Sequence, residues 1–205
     1  VTHVVGINKK MVDPNEIKSG LDLLNPKWKG RMIQSDPRTG DIRLSMTAMR
    51  LSHGEEPVRR LLMEMDATVS RDTRIIVEGL VRGRYPVAVG IRAEIYKEFV
   101  DQGVAEDTMM LSLTDLDFVP RNCMFLFNRA PHPNAAKLFL NWIFTKKGQE
   151  TFTGLTAFNS PRTDVAPTDP SRSVKSLKDY RVVNREAEFG ELVKTDALIK
   201  QWGLT

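Results

Sequence analysis

Apolar residues recur along this chain in two rhythms. Short β-branched or continuous apolar runs predict strands at Val4, Val5 and Ile7, at Arg31 to Gln34, at Ala67 to Val69, at Tyr85 to Ile91, at Met109 to Leu113 and at Cys123 to Phe127. Between them, Ile42, Leu44, Met46, Met49 and Leu51 recur at helical spacing from Asp41 until His53-Gly54 closes the element. Further helices are predicted over Glu55 to Met65, with Pro57 in the first turn, over Arg74 to Arg82 ahead of Gly83, and over Ala93 to Gln102 ahead of Gly103. The strongest helical pattern follows Pro131-His132-Pro133-Asn134 and predicts one helix over Ala135 to Phe152, with Ala136, Phe139, Leu140, Ile143 and Phe144 as its buried stripe. A last amphipathic helix is expected over Glu186 to Trp202, with Phe189, Leu192, Val193, Leu198 and Ile199 inward.

The stretches between are equally informative. Residues 11–30 are rich in Pro, Asn, Gly and Lys and read as a loop with one or two helical turns anchored by Leu21, Leu23, Leu24 and Trp28. NSPRTDVAPTDPSRS has too little apolar content to pack by itself and belongs on a surface. Alternation of strands and helices predicts an α/β chain layered around parallel strands, without internal repeats. The 205 residues can bury a sizeable core, and 41% apolar with 27% charged residues is ordinary for a globular protein. The formal charge of +4 is spread along the chain, so it implies a mild attraction to anions and gives no ground for nucleic-acid binding. One cysteine, Cys123, excludes an intrachain disulfide and a CxxC metal or redox site; its apolar neighbours make it a buried small hydrophobe. No run reaches the roughly 20 apolar residues of a membrane helix. The chain opens on Val1, directly in the strand-like VTHVVGI, as expected of one trimmed from something longer.

Three places share one design: a strand ends, a short polar turn carries an arginine, and in at least two of them a helix begins at once. They are Ser35 to Asp41, with Asp36, Arg38 and Thr39; Ser70-Arg71-Asp72-Thr73; and Gly90-Ile91-Arg92-Ala93. Beyond the carboxyl ends of parallel strands, unpaired N–H groups and the helix dipole favour a negative group, and arginine adds a permanently charged fork suited to carboxylate or phosphate. Together they predict a cationic pocket for an anion, against the blander alternative of three N-caps with solvated arginines. His3, His53 and His132 are far apart and read as strand surface, C-cap and helix start; Asp115 and Asp117 read as a solvated acidic turn. No nucleophile, base and orienting group assemble, and no metal or phosphate-loop motif occurs.

The order of DLLNPKWKGRMIQSDPRTG, GLVRGRYPVAVGI and APHPNAAKLFLNWIFTKKGQETF, with NSPRTDV after it, resembles the family 1 extracellular solute-binding proteins of bacterial ABC importers, in the branch of ferric-iron, thiamine and phosphonate binders. The likeness runs from about Val4 to Val165. It implies a type II periplasmic-binding-protein-like fold of two α/β lobes joined by hinge strands. Residues 1–10 would hold the hinge strand, 11–110 the second lobe, and 111–205 the return to the first lobe with the C-terminal helices. The family's cleft-lining turns fall on the same three places. Two departures stand out: where iron binders carry adjacent tyrosines this chain has Ile91-Arg92-Ala93-Glu94, which favours an anionic or carboxylate-bearing solute over ferric iron, and the segment that builds most of the family's first lobe has no counterpart here. That second departure predicts exposed apolar surface within residues 113–205.

The resemblance thus implies a non-enzymatic, cofactor-free binding component in the periplasm or lipid-anchored outside the cell, with a small solute, an inner-membrane ABC permease and the missing lobe or a second chain as partners. A two-lobed α/β transferase using Asp36 and Asp72 on a phosphorylated substrate, or a cytoplasmic ligand-sensing domain, are the alternatives.

Overall fold

The computed structural model describes all residues except 39–41, 120–123, 157, 174–177, 179, 181–188 and 205. The described chain forms two compact units, 1–120 with 174–205, and 121–173.

The first unit is built on a five-stranded sheet of β1 (Val5–Asn8), β2 (Met32–Ser35), β3 (Thr68–Ser70), β4 (Val87–Val89) and β5 (Thr108–Leu111), in the order β3-β2-β4-β1-β5. β2 pairs in parallel with β3 and β4, whereas β1 runs antiparallel to both β4 and β5. The parallel layers anticipated from the alternation of elements are therefore present, with one reversed strand inserted between them. Alternate residues serve opposite faces, as the two-residue period of a strand requires. Val5, Ile7, Met32, Val87 and Val89 join a core with α1 (Ile42–His53) and α2 (Glu55–Met63). Ile33 and Ala88 join a second core with α3 (Thr73–Val81) and α4 (Ala93–Asp101). Gly54, at φ 85°, separates α1 from α2, in keeping with the C-cap read from His53-Gly54.

Residues 11–30 form three short 3-10 turns, Pro14–Glu16, Gly20–Leu24 and Pro26–Trp28. Leu23, Leu24 and Trp28 are buried there as expected, and the Trp28 indole N–H donates to the Asp22 carbonyl at 3.1 Å; Leu21 faces solvent instead.

Residues 121–173 hold α5 (Pro133–Ile143) and α6 (Lys146–Leu155), and the last helix, α7 (Phe189–Gln201), belongs to the first unit and packs beside α1. Along α7, Ile199 and Thr195 are buried, whereas Phe189 and Val193, expected inward, are exposed. A polar seam holds this helix to α1: the Thr47 hydroxyl donates to Thr195 Oγ1 at 2.9 Å, and Arg43 and Arg50 pair with Asp196 and Glu191 at 2.8 and 2.5 Å.

The single helix expected over 135–152 is two helices. Thr145 is extended (φ −70°, ψ 161°), and its Oγ1 accepts from the Gly148 N–H at 3.0 Å, starting a new helix. Gly148 also has no room for a side chain, since a Cβ would lie 2.2 Å from the Trp142 carbonyl oxygen. The expected stripe is not buried either: Ile143 is inward, but Phe139 and Phe144 face solvent. Met124 to Phe127, expected to complete a buried strand, has no regular structure, and Phe125 and Phe127 are exposed; Cys123 lies outside the described residues. The Pro-rich stretch is tied down by polar contacts, with the Asn159 side chain donating to the Asp169 carbonyl and accepting from its N–H at 2.7 and 3.0 Å.

Candidate functional site

Parallel pairing brings the three arginine-bearing turns together. In the ladder Ser35 stands opposite Ser70, and Gln34 opposite Val89, so β2, β3 and β4 end side by side at one edge of the sheet. The Asp36 N–H then donates to the Ser70 carbonyl at 2.9 Å, extending the β2–β3 ladder by one bond. On the other side, the Gly90 and Ile91 N–H groups both donate to the Val4 carbonyl, at 2.8 and 3.0 Å, which fixes where β4 turns away. Gly90 has φ 83°, and a Cβ there would lie 2.6 Å from the Ser35 Cβ. Only glycine allows the ends of β2 and β4 to approach this closely.

Asp36 is the centre of this edge. Its side chain is 1% exposed, and both oxygens are occupied: Oδ1 accepts from the Arg38 N–H and Nε at 3.0 and 2.8 Å, and Oδ2 from Arg38 Nη2 and Arg71 Nε at 2.7 and 2.8 Å. Donation from the Arg38 guanidinium, then from Arg71, holds the Asp36 carboxyl well below the usual carboxylate range, against the opposing effect of burial; the carboxylate in turn raises the Arg38 pKa. Two of the three predicted arginines thus meet on one buried carboxylate, a convergence that spacing alone could not reveal. Arg71 remains 69% exposed and commits only Nε to this contact. Arg92, the N-cap of α4, is 57% exposed and pairs with Glu94 at 2.8 Å; no side chain caps that helix.

The other predicted residues have local duties. Asp72 caps α3 by accepting from the Arg74 N–H at 2.8 Å, and Thr73 is the first residue of that helix. The Ser70 hydroxyl accepts from the Asp72 N–H and donates to the Asp72 carbonyl, both at 3.1 Å, which closes the turn on itself. Thr39 lies outside the described residues. Arg74, which sequence reading did not include, pairs with Glu98 across α3 and α4. Tyr96 is half-buried, with its hydroxyl 3.0 Å from Thr108 Oγ1, and burial pushes its pKa up.

A second polar constellation was missed at the sequence level. His3 is no surface residue: it is 5% exposed, with Nδ1 2.7 Å from Oδ2 of the fully buried Asp117. His53 does more than end α1, since its Nε2 lies 2.8 Å from Asp115 Oδ2, which also accepts from the Ser19 hydroxyl and the Gly20 N–H at 2.7 and 2.8 Å. The acidic turn expected to be solvated is therefore a brace, with Asp117 fully and Asp115 partly buried, and burial pushes the Asp117 carboxyl above its ordinary value. The alternation of Asp115 and Asp117 around Leu116 was its only trace in the sequence. Among the described residues no three His, Cys, Asp or Glu side chains gather to hold a metal ion, and no helix is long and apolar enough to cross a membrane.

Solved structures share this arrangement of strands and helices. Iron-bound HitA from Pseudomonas aeruginosa superposes with a TM-score of 0.69 at 18% identity, over 98% of this chain and 67% of that one. The substrate-binding protein of an ABC transporter from Agrobacterium tumefaciens gives 0.70 at 16%, over 98% and 64%. The fold is that of the type II periplasmic binding proteins. A third neighbour, FutA from Trichodesmium in complex with iron and citrate, gives 0.72 at 14%, over 99% and 68%. The chain spans about two thirds of the length of these structures. No protein-family model matches the sequence, and no curated protein does.

Proposed function

We propose that this chain is part of the substrate-binding component of an ABC importer, one that captures a small anionic or carboxylate-bearing solute and delivers it to an inner-membrane permease. The observation that carries the reading is the edge where β2, β3 and β4 end together, with Arg38 and Arg71 meeting on Asp36 and Arg92 on the neighbouring turn. Ser35, Asp36, Arg38, Thr39, Ser70, Arg71, Asp72, Thr73, Gly90 and Arg92 form the proposed binding edge. The same position, beyond the carboxyl ends of parallel strands, is where open α/β sheets hold ligands.

In this reading the protein works outside the inner membrane, in the periplasm or on a lipid anchor. Residues 11–110 act as one lobe, residues 1–10 as hinge strand and part of the first lobe, and residues 111–205 as the return to the first lobe with the C-terminal helices. The apolar side chains exposed on 121–173 are covered by the remainder of that lobe, and closure over the solute excludes water and strengthens the charge pairs. Transferase chemistry is disfavoured because both carboxylates offered for it are engaged, Asp36 by arginines and Asp72 as a cap.

A thermal-shift screen of the full-length protein against small carboxylates, phosphonates, inorganic oxyanions and Fe(III) tests the proposal. Stabilisation by a carboxylate or another oxyanion, lost in Arg92→Ala without a fall in the unliganded melting temperature, is the expected result. A response to Fe(III) alone would overturn the anionic solute.

A further inference from the structure

Asp36 places a fixed negative charge directly behind two of the arginines of this edge, whereas Asp72 is engaged in capping α3 and Glu94 in pairing with Arg92. The Asp36 carboxylate has taken the Nε and Nη2 fork of Arg38, the face with which an arginine grips a carboxylate two-handed, and the Nε of Arg71. What Arg71 still offers is the outer end of its guanidinium, on a side chain 69% exposed. An incoming anion at that end therefore meets the arginine with a carboxylate bound directly behind it.

Resting on the reading of this edge as an anion site, we infer that Asp36 sets the charge class of the ligand: the site takes oxyanions with a single negative charge, of the carboxylate type, and disfavours dianions. The physical ground is that attraction to the site's net field grows in proportion to the ligand's charge, whereas the cost of stripping its water grows with the square of that charge, so the weakened positive field that Asp36 leaves offsets desolvation of a monoanion but not of a dianion. A singly charged carboxylate loses less, because it gains most from directed N–H bonds to the outer guanidinium edge. Asp36 cannot relax this selection by taking up a proton, because it is 1% exposed and held by donors on both oxygens. Its second effect is on position: it ties the turn after β2 to the turn after β3, so that Arg71 is aimed rather than free to swing.

Sulfate and methyl sulfate test this directly, since they share an oxyanion head and differ by one charge. Binding of each is measured by calorimetry at fixed ionic strength on the full-length protein, for the native sequence, Asp36→Asn and Arg71→Gln. The native protein is expected to bind methyl sulfate more tightly than sulfate. Asp36→Asn should shift the ratio toward sulfate by about tenfold or more, and Arg71→Gln should weaken both anions alike. Binding of both anions with a ratio that Asp36→Asn leaves unchanged overturns the inference while the anion site stands. Binding of neither anion by the native protein overturns the site and the inference together. Should Asp36→Asn fail to fold, a native preference for sulfate over methyl sulfate, or an Arg71→Gln variant that loses one anion and keeps the other, still contradicts it.

Discussion

The two compact units use the same kinds of residue to opposite effect. In residues 1–120 with 174–205, the apolar stripes of α1, α3 and the strands meet one another, and Ile7, Met46, Leu80 and Phe118 are at most 1% exposed. In residues 121–173, an equally apolar helix, α5, buries little beyond Ile143, while Phe125, Phe127, Leu138, Phe139 and Phe144 face solvent. The apolar stripes of α1 and α5 were equally legible in the sequence. Periodicity announces a face that needs covering, whereas only tertiary structure says whether the cover is supplied. Large exposed apolar patches in general mark sites of interaction, and the first unit by itself carries the sheet edge proposed to bind solute.

Substitutions can sharpen that contrast. Phe118→Ala, in the first unit's core, should cost about 4 kcal/mol in denaturant unfolding, through lost transfer energy and the cavity left behind. Gly90→Val should cost about 3 kcal/mol, because it combines a positive φ with a collision against Ser35, and it should spare the second unit's helices as read by NMR. Ile143→Ala, the buried exception on α5, should cost about 2 kcal/mol by the same denaturation assay. The paired change Phe139→Ser with Trp142→Ser should alter stability by under about 0.5 kcal/mol while lowering binding of an apolar dye. A loss of several kcal/mol from that double variant would show that the α5 face is already covered, and would erase the contrast.

Acid titration separates two carboxylates of the first unit. Asp36 has a depressed pKa, so the stability it contributes is present above the ordinary value of 3.8 and is lost as pH falls below it. Asp117 has a raised pKa, so its effect has the opposite sign: the folded state holds that proton more tightly, and stability is lost as pH rises above 3.8. Melting temperatures between pH 5 and 2 should therefore fall less steeply in Asp36→Asn than in the native protein, and more steeply in Asp117→Asn.

Much of the fold could be read from the chain. The strand and helix alternation up to Leu111, the break at His53-Gly54 and the N-cap at Asp72 are all local signals, and the structure bears each of them out. The reversed strand β1 was not legible, since direction depends on pairing partners distant in sequence. Nor was the division at Thr145, where a cap that depends on Gly148 overrode a continuous apolar rhythm. At the site, the three turns were legible because glycine, serine and arginine mark strand ends. The burial of Asp36 beneath two arginines was not, because it follows from the register of β2 against β3. His3 was misread, and the second contact of His53 was not legible, for the same reason: their partners, Asp117 and Asp115, lie 114 and 62 residues away.

In the function proposed for this chain, the turns after β2, β3 and β4 act together as one anion receptor. Titrating acetate into the isotopically labelled protein and following backbone amide resonances tests it most directly. Concerted, saturable shifts at Asp36 to Arg38, Arg71 to Thr73 and Arg92 to Glu94, fitting one dissociation constant, are the predicted result. Shifts confined to one turn, or clustered on other surfaces, would contradict it.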